Sequence, residues 1–217
     1  MDGRVILAAL LFDLDGTLLD TVPLITTCFQ KMFQKYGNTE ISTEAVHALF
    51  GPGESIIFRQ KFGDQWEKVL QDYLECYVQG HDQLQIESWV LELLKELHAQ
   101  DIPLAIVTNK ERDTTSLTLD YFQLSHYFSM IITAQDVERP KPHPDGIVKV
   151  LQTLDVSAQD AILIGDTMND KEAARQSGIQ FIQALWYVPK PLWPKDPQWR
   201  VAHSEKDLRD TLQSFLL

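Results

Sequence analysis

Five short apolar runs set the tightest limit on the fold: VILAALLF (5–12), IPLAIVT (102–108), MIITA (130–134), AILIG (161–165) and IQFIQAL (179–185). Each is brief, rich in branched residues and bounded by polar, Gly or Pro signals, the pattern of a strand buried on both faces. Amphipathic stretches lie between the later runs. SWVLELLKELHAQ (88–100) opens on Ser88 as an N-cap, PDGIVKVLQTL (144–154) opens on Pro144 at the first helical position, and NDKEAARQSG (169–178) follows the fourth run. Strands alternating with helices imply an α/β fold, a parallel sheet covered by helices on both faces.

One region breaks this rhythm. Between Val22 and Gln85 no strand pattern occurs; helical patterns fill 23–36, 43–50, 54–62 and 65–79, separated by YGN, FGPGE and FGD. The expected division is therefore a core of residues 1–21 and 86–217, with 22–85 inserted as a helical cap. The insert enters directly after the first strand, which places it as a lid over whatever that strand carries. The stretch WYVPKPLWPKDPQWR (186–200) is too rich in proline for a regular helix and is expected as a structured surface loop near the site's rim. EKDLRDTLQSFLL is expected as a C-terminal helix burying Leu208, Leu212 and Phe215.

In an open α/β sheet, ligands bind beyond the carboxyl ends of the strands. The first strand ends in Asp13 and Asp15, the second in Thr108, Asn109 and Lys110, and the fourth in GDTMND, with Asp166 and Asp170. RPKPHPD follows the third and holds Lys141 between prolines. A buried carboxylate is costly unless it is paired or binds a cation. Asp13, Asp15 and Asp166 supply oxygen donors suited to one Mg²⁺, a hard cation. Thr108 and the backbone N–H groups of Asn109 and Lys110 can hold phosphoryl oxygens at a helix start, and Lys141 can bridge phosphate and carboxylate. Two carboxylates two residues apart can divide the work, one attacking phosphorus and the other moving the proton.

The charge balance fits that picture. With 19 Lys and Arg against 31 Asp and Glu, the net charge is −12, which argues against a nucleic-acid or membrane-surface partner. A phosphorylated ligand must then be drawn in locally, by a metal and a few cations. The two cysteines, Cys28 and Cys76, stand in no metal-binding pattern and are expected as separate core thiols in a reducing compartment. The N-terminal apolar run is short and has no small-residue cleavage site, and no stretch approaches membrane-spanning length, so a cytoplasmic protein is expected, monomer or homodimer.

DLDGTLLD, Thr108 after an apolar strand, KPHP with Lys141, and GDTMND stand in the order of the four motifs of the haloacid dehalogenase-like hydrolase superfamily, which this chain resembles over nearly its whole length. The helical insert resembles that superfamily's C1-type cap, and the layout is most similar to the phosphoglycolate phosphatase-like branch. The resemblance implies a Rossmann-like three-layer core and a Mg²⁺-dependent phosphatase acting on a small phosphorylated metabolite. It implies Asp13 as nucleophile and metal ligand, Asp15 as acid/base and as a metal ligand through its carbonyl, Thr108 and Lys141 as phosphate-binding groups, Asp166 as a metal ligand, and Asp170 as a ligand through water or a supporting group. Asp15 disfavours a dehalogenase, which needs no leaving-group acid. A pyrophosphatase and a β-phosphoglucomutase-like phosphotransferase share these core residues and remain alternatives, and a non-catalytic binding protein is a further one. In the cap, Glu54, Arg59 and Lys61 are candidate substrate contacts, with Glu54 unfavourable to an anionic substrate tail.

Overall fold

The computed structural model describes residues 7–195 and 197–216. The first apolar run forms strand β1 over Ala9–Phe12; its residues 5 and 6 lie outside the described residues. The other runs form β2 (Leu104–Val107), β3 (Met130–Ile132), β4 (Ala161–Gly165) and β5 (Gln180–Ala184). All pair in parallel, in the order β3-β2-β1-β4-β5-β6, where β6 is Arg200–Ala202. β1 lies centrally between β2 and β4, at the point where the strand order reverses, so the crevice beyond its carboxyl end is the natural ligand position.

Side chains alternate across the sheet with the strand's period of two. Leu10 and Phe12 face a core shared with Leu94 and Leu97 of α5 (Ser88–Ala99) and Leu208 and Leu212 of α9 (Glu205–Leu216). Ala9 and Leu11 face the other layer, with Ile147 and Val150 of α7 (Asp145–Leu154) and Ala173 of α8 (Met168–Ser177). The result is the three-layer α/β arrangement.

The chain leaves this core after β1 and returns before α5. Between these points run α1 (Val22–Gly37), the short α2 (Thr43–His47), α3 (Glu54–Phe62) and α4 (Trp66–Gln79). They hold their own aromatic core: the Phe29 ring lies 5.0 Å from Phe58 and 5.4 Å from Tyr73. An isolated antiparallel bridge between Asp20 and Gln85 ties the outgoing and returning connections together.

Two expectations are corrected. Cys28 and Cys76 are not separate thiols. Packing of α1 on α4 brings their Cα atoms to 5.9 Å, and they form a disulfide, which a separation of 48 residues could not signal. The 186–200 stretch is not wholly loop, because β6 begins at Arg200 and extends the sheet beside β5. Its tryptophans pack down rather than out. Trp186 Nε1 donates to the Thr17 carbonyl at 3.0 Å, Trp193 Nε1 to Val188 O at 2.8 Å, and Trp199 Nε1 to Gln183 Oε1 at 2.9 Å. Among the described residues, no helix is long and apolar enough to cross a membrane.

Candidate active site

The carboxyl ends of β1, β2 and β4 converge under α1, α2 and α3 on a cavity of about 400 Å³. Asp13 directly follows β1, its backbone N–H still donating to Ile164 O of β4 at 2.9 Å. That extended start fixes the direction of its side chain, whose Oδ1 accepts the Leu14 N–H at 2.8 Å. The chain then turns through Gly16 at φ 73°, a conformation that disfavours other residues. A Cβ here would lie 2.7 Å from Asp166 Oδ2, so the turn and the β4 carboxylate nest together only with glycine.

Lys141 is buried and joins two carboxylates: its Nζ lies 2.9 Å from Asp13 Oδ1 and 2.5 Å from Asp170 Oδ1. Burial disfavours its charge, but Asp13 and Asp170 outweigh that and raise its pKa above the ordinary lysine value. Asp170 is fully buried, and its other oxygen accepts the Thr167 N–H and hydroxyl in a capping box that opens α8. Asp15 points the other way. Its carboxylate meets Lys110 Nζ at 3.2 Å and accepts the Thr21 hydroxyl at 2.6 Å. The Lys110 ammonium also sits 4.6 Å from the centre of the Tyr77 ring. Each of the two carboxylates at the end of β1 therefore has its own lysine.

Donor atoms of Asp13, Asp166 and Asp170 lie within 4.8 Å of one another, a grouping that fits a divalent cation. Its electrostatics fit as well. Burial raises Asp13 to about 6 against the pull of Lys141, and Asp170 adds to the rise. Burial also holds Asp166 well above the usual carboxylate range, with Asp13 and Asp170 pushing the same way. Thr17 donates to Asp166 at 3.3 Å, and among the described residues Asp166 has no salt-bridge partner. Such a cluster carries more negative charge than one lysine neutralises.

The remaining sequence candidates are distributed unevenly. Thr108 is buried on the cavity wall and accepts the Lys110 N–H at 3.2 Å. The Asn109 amide works as a tie, donating to Gly51 O between α2 and α3 at 2.8 Å and to Lys141 O at 2.7 Å, while its Oδ1 is buried without a partner. Glu54 lines the cavity, but both its oxygens are taken by Glu111 N and the Thr114 hydroxyl. Arg59 and Lys61 do not line the cavity; both are exposed, and Arg59 lies over the Trp66 ring at 4.3 Å. The sequence reading used only the backbone of Lys110 and overlooked its side chain, although a lysine two residues after Thr108 was a visible signal. It also missed Thr21 and His47, which nothing in their local pattern marks.

The model of the haloacid dehalogenase-like hydrolase family matches residues 10–184. Pyrophosphatase PpaX of Bacillus cereus is 32% identical over 178 residues, covering 81% of this chain and 82% of that protein. Among solved structures, a predicted phosphoglycolate phosphatase from Haemophilus somnus superposes with a TM-score of 0.81 at 22% identity, covering 95% of this chain and 98% of that one. CbbY from Rhodobacter sphaeroides, in complex with phosphate, superposes with a TM-score of 0.80 at 21% identity, covering 94% and 96%. These two likenesses show a shared fold.

Proposed function

Because this chain belongs to the haloacid dehalogenase-like hydrolase family, we propose that it is a Mg²⁺-dependent phosphatase of small phosphorylated metabolites, with Asp13 as nucleophile. The observation that carries this reading is the separation of Asp13 and Asp15. Asp13 sits with Lys141 beside the metal-competent acids, and Asp15 sits with Lys110 on its own. That separation supports assigning attack to one carboxylate and proton movement to the other.

An Asp13 oxygen attacks phosphorus, forming an aspartyl-phosphate as the bond to the leaving oxygen breaks. Asp15 acts as the general acid that delivers a proton to that oxygen. It then takes a proton from water as the water attacks phosphorus, which breaks the bond to Asp13 and releases phosphate. The Lys141 ammonium and the Thr108 hydroxyl hold phosphoryl oxygens, where fixed charge counts most in the transition state. A divalent cation held by Asp13 and Asp166, with Asp170 behind them, would neutralise phosphoryl charge. Residues 22–85 act as the cap, excluding water and supplying the far wall of the cavity.

The relatives named pyrophosphatase PpaX favour a second reading, hydrolysis of pyrophosphate by the same residues. Both readings are tested by phosphate release from a panel of phosphate esters and pyrophosphate, with and without Mg²⁺, beside Asp13→Asn. Mg²⁺-dependent release that the variant lacks is expected. Folded protein that releases no phosphate from any of them would sink the phosphatase reading.

A further inference from the structure

The reacting end of the cavity is polar and its far wall is not. Val22, Ile25 and Phe29 of α1, Phe50 after α2, and Ile57 of α3 form that wall. Among the described cap residues lining the cavity, the ionisable ones are Glu54 and His47. No Lys or Arg of the cap is among them.

The two lysines on the cavity are already committed, Lys141 to Asp13 and Asp170, and Lys110 to Asp15. Against them stand the carboxylates of Asp13, Asp15, Glu54 and Asp166. Asp170, on Lys141, is a fifth, so two ammonium groups and one divalent cation do not exceed the acids around them, and the described lining holds no further Lys or Arg to meet a second anionic group on the substrate. Placing one against the apolar wall would cost its hydration with no compensating partner.

His47 adds a polar contact of a particular kind. The Thr26 hydroxyl has one hydrogen, and it goes to Val22 O at 2.7 Å. With that hydrogen on Val22 O, Thr26 Oγ1 accepts from His47 Nε2, 3.0 Å away, in the tautomer that carries the proton there. In that tautomer Nδ1 is the acceptor left for a ligand, matched to a hydroxyl or an N–H donor. The volume agrees: about 400 Å³ lies within the range of sites that enclose whole organic molecules, roughly 300–1,000 Å³.

We propose that the leaving group this cavity accepts is an uncharged, partly apolar alcohol, so that the substrate class is the phosphate monoester of a neutral alcohol. Diphosphates, bisphosphates and phosphorylated carboxylic acids are selected against. The proposal rests on the phosphatase reading above and narrows it.

The test is kcat/KM for the intact protein with Mg²⁺ on benzyl phosphate, phenyl phosphate, phosphoglycolate and pyrophosphate. The two neutral esters are expected to exceed both anionic substrates by at least tenfold. Phosphoglycolate or pyrophosphate equal to or better than the neutral esters would overturn the proposal and leave the phosphatase reading standing. No turnover of any of the four would overturn both. A second arm uses Phe50→Arg, which puts a cation at a partly exposed position on the apolar wall. The variant is expected to shift the ratio of phosphoglycolate to benzyl phosphate at least tenfold toward phosphoglycolate. An unchanged ratio in folded variant would show that this wall does not read the leaving group.

Discussion

Glu54 and Glu111 each close the first turn of the other's helix. Glu54, at the start of α3 in the cap, accepts the Glu111 N–H at 3.3 Å and the Thr114 hydroxyl at 2.9 Å. Glu111, at the start of α6 (Arg112–Tyr121) in the core, accepts the Ser55 N–H at 3.0 Å and the Ser55 hydroxyl at 2.5 Å. Each carboxylate meets unpaired N–H groups and the positive end of a helix dipole. The exchange ties cap to core beside the cavity, and it requires glycine at position 53, where a Cβ would lie 2.5 Å from Glu111 Oε1.

Glu111→Ala leaves the Ser55 donors without their partner, at a cost of about 1–3 kcal/mol. Gly53→Ala pushes the same carboxylate away by contact alone. Both variants are expected to speed amide hydrogen exchange over residues 53–57 and to raise KM more than they lower kcat. Exchange at the wild-type rate in both would show that the pair does not hold the cap.

Asp13→Asn is expected to lower kcat by orders of magnitude while the fold survives. The amide oxygen can still accept the Leu14 N–H, and the crowding among Asp13, Asp166 and Asp170 is relieved. Circular dichroism and thermal melting should therefore match or exceed wild type. A variant with wild-type kcat would remove Asp13 from the nucleophile's role.

How far the sequence shows this site depends on the kind of signal each part leaves. The core strands were legible because burial on both faces demands unbroken apolar runs, and Asp13, Asp15, Asp166 and Lys141 follow such runs or flank prolines. α6 carries no such stripe: its buried face is largely Thr114, Thr115 and Thr118. The Thr114 hydroxyl is satisfied by Glu54 and the Thr118 hydroxyl by its own helix and Tyr77, while Thr115 Oγ1 is buried without a partner. β6 was hidden because only three residues, starting at Arg200, follow a run of prolines and tryptophans. The Glu54–Glu111 exchange and the Cys28–Cys76 pair join distant segments, and neither leaves a local pattern.

Lys141→Met separates stability from chemistry. It leaves Asp13 and Asp170 buried without the ammonium that joins them, and breaking a buried pair from one side costs about 3–5 kcal/mol. For a chain of this size that corresponds to a Tm fall of roughly ten degrees. kcat should fall by orders of magnitude as well, because the ammonium meets its largest charge in the transition state. A variant that changes only KM would place Lys141 in ground-state binding.

His81 gives the fold a pH dependence of its own. Its ring is 4% exposed, packed 4.8 Å from the Tyr77 ring and 5.2 Å from Tyr121, with Nε2 unpartnered. Burial lowers its pKa below the usual 6.5, and the nearby Lys110 charge adds to that, while the Val78 and Tyr77 carbonyls oppose it. On acidification the unfolded chain takes up this proton first, so the unfolded state is favoured as pH falls below about 6.5. Above that pH the ring is neutral in both states and the cost vanishes. His81→Leu should therefore lose less Tm than wild type between pH 7 and pH 5. Equal losses in the two proteins would show that His81 does not contribute to the acid instability.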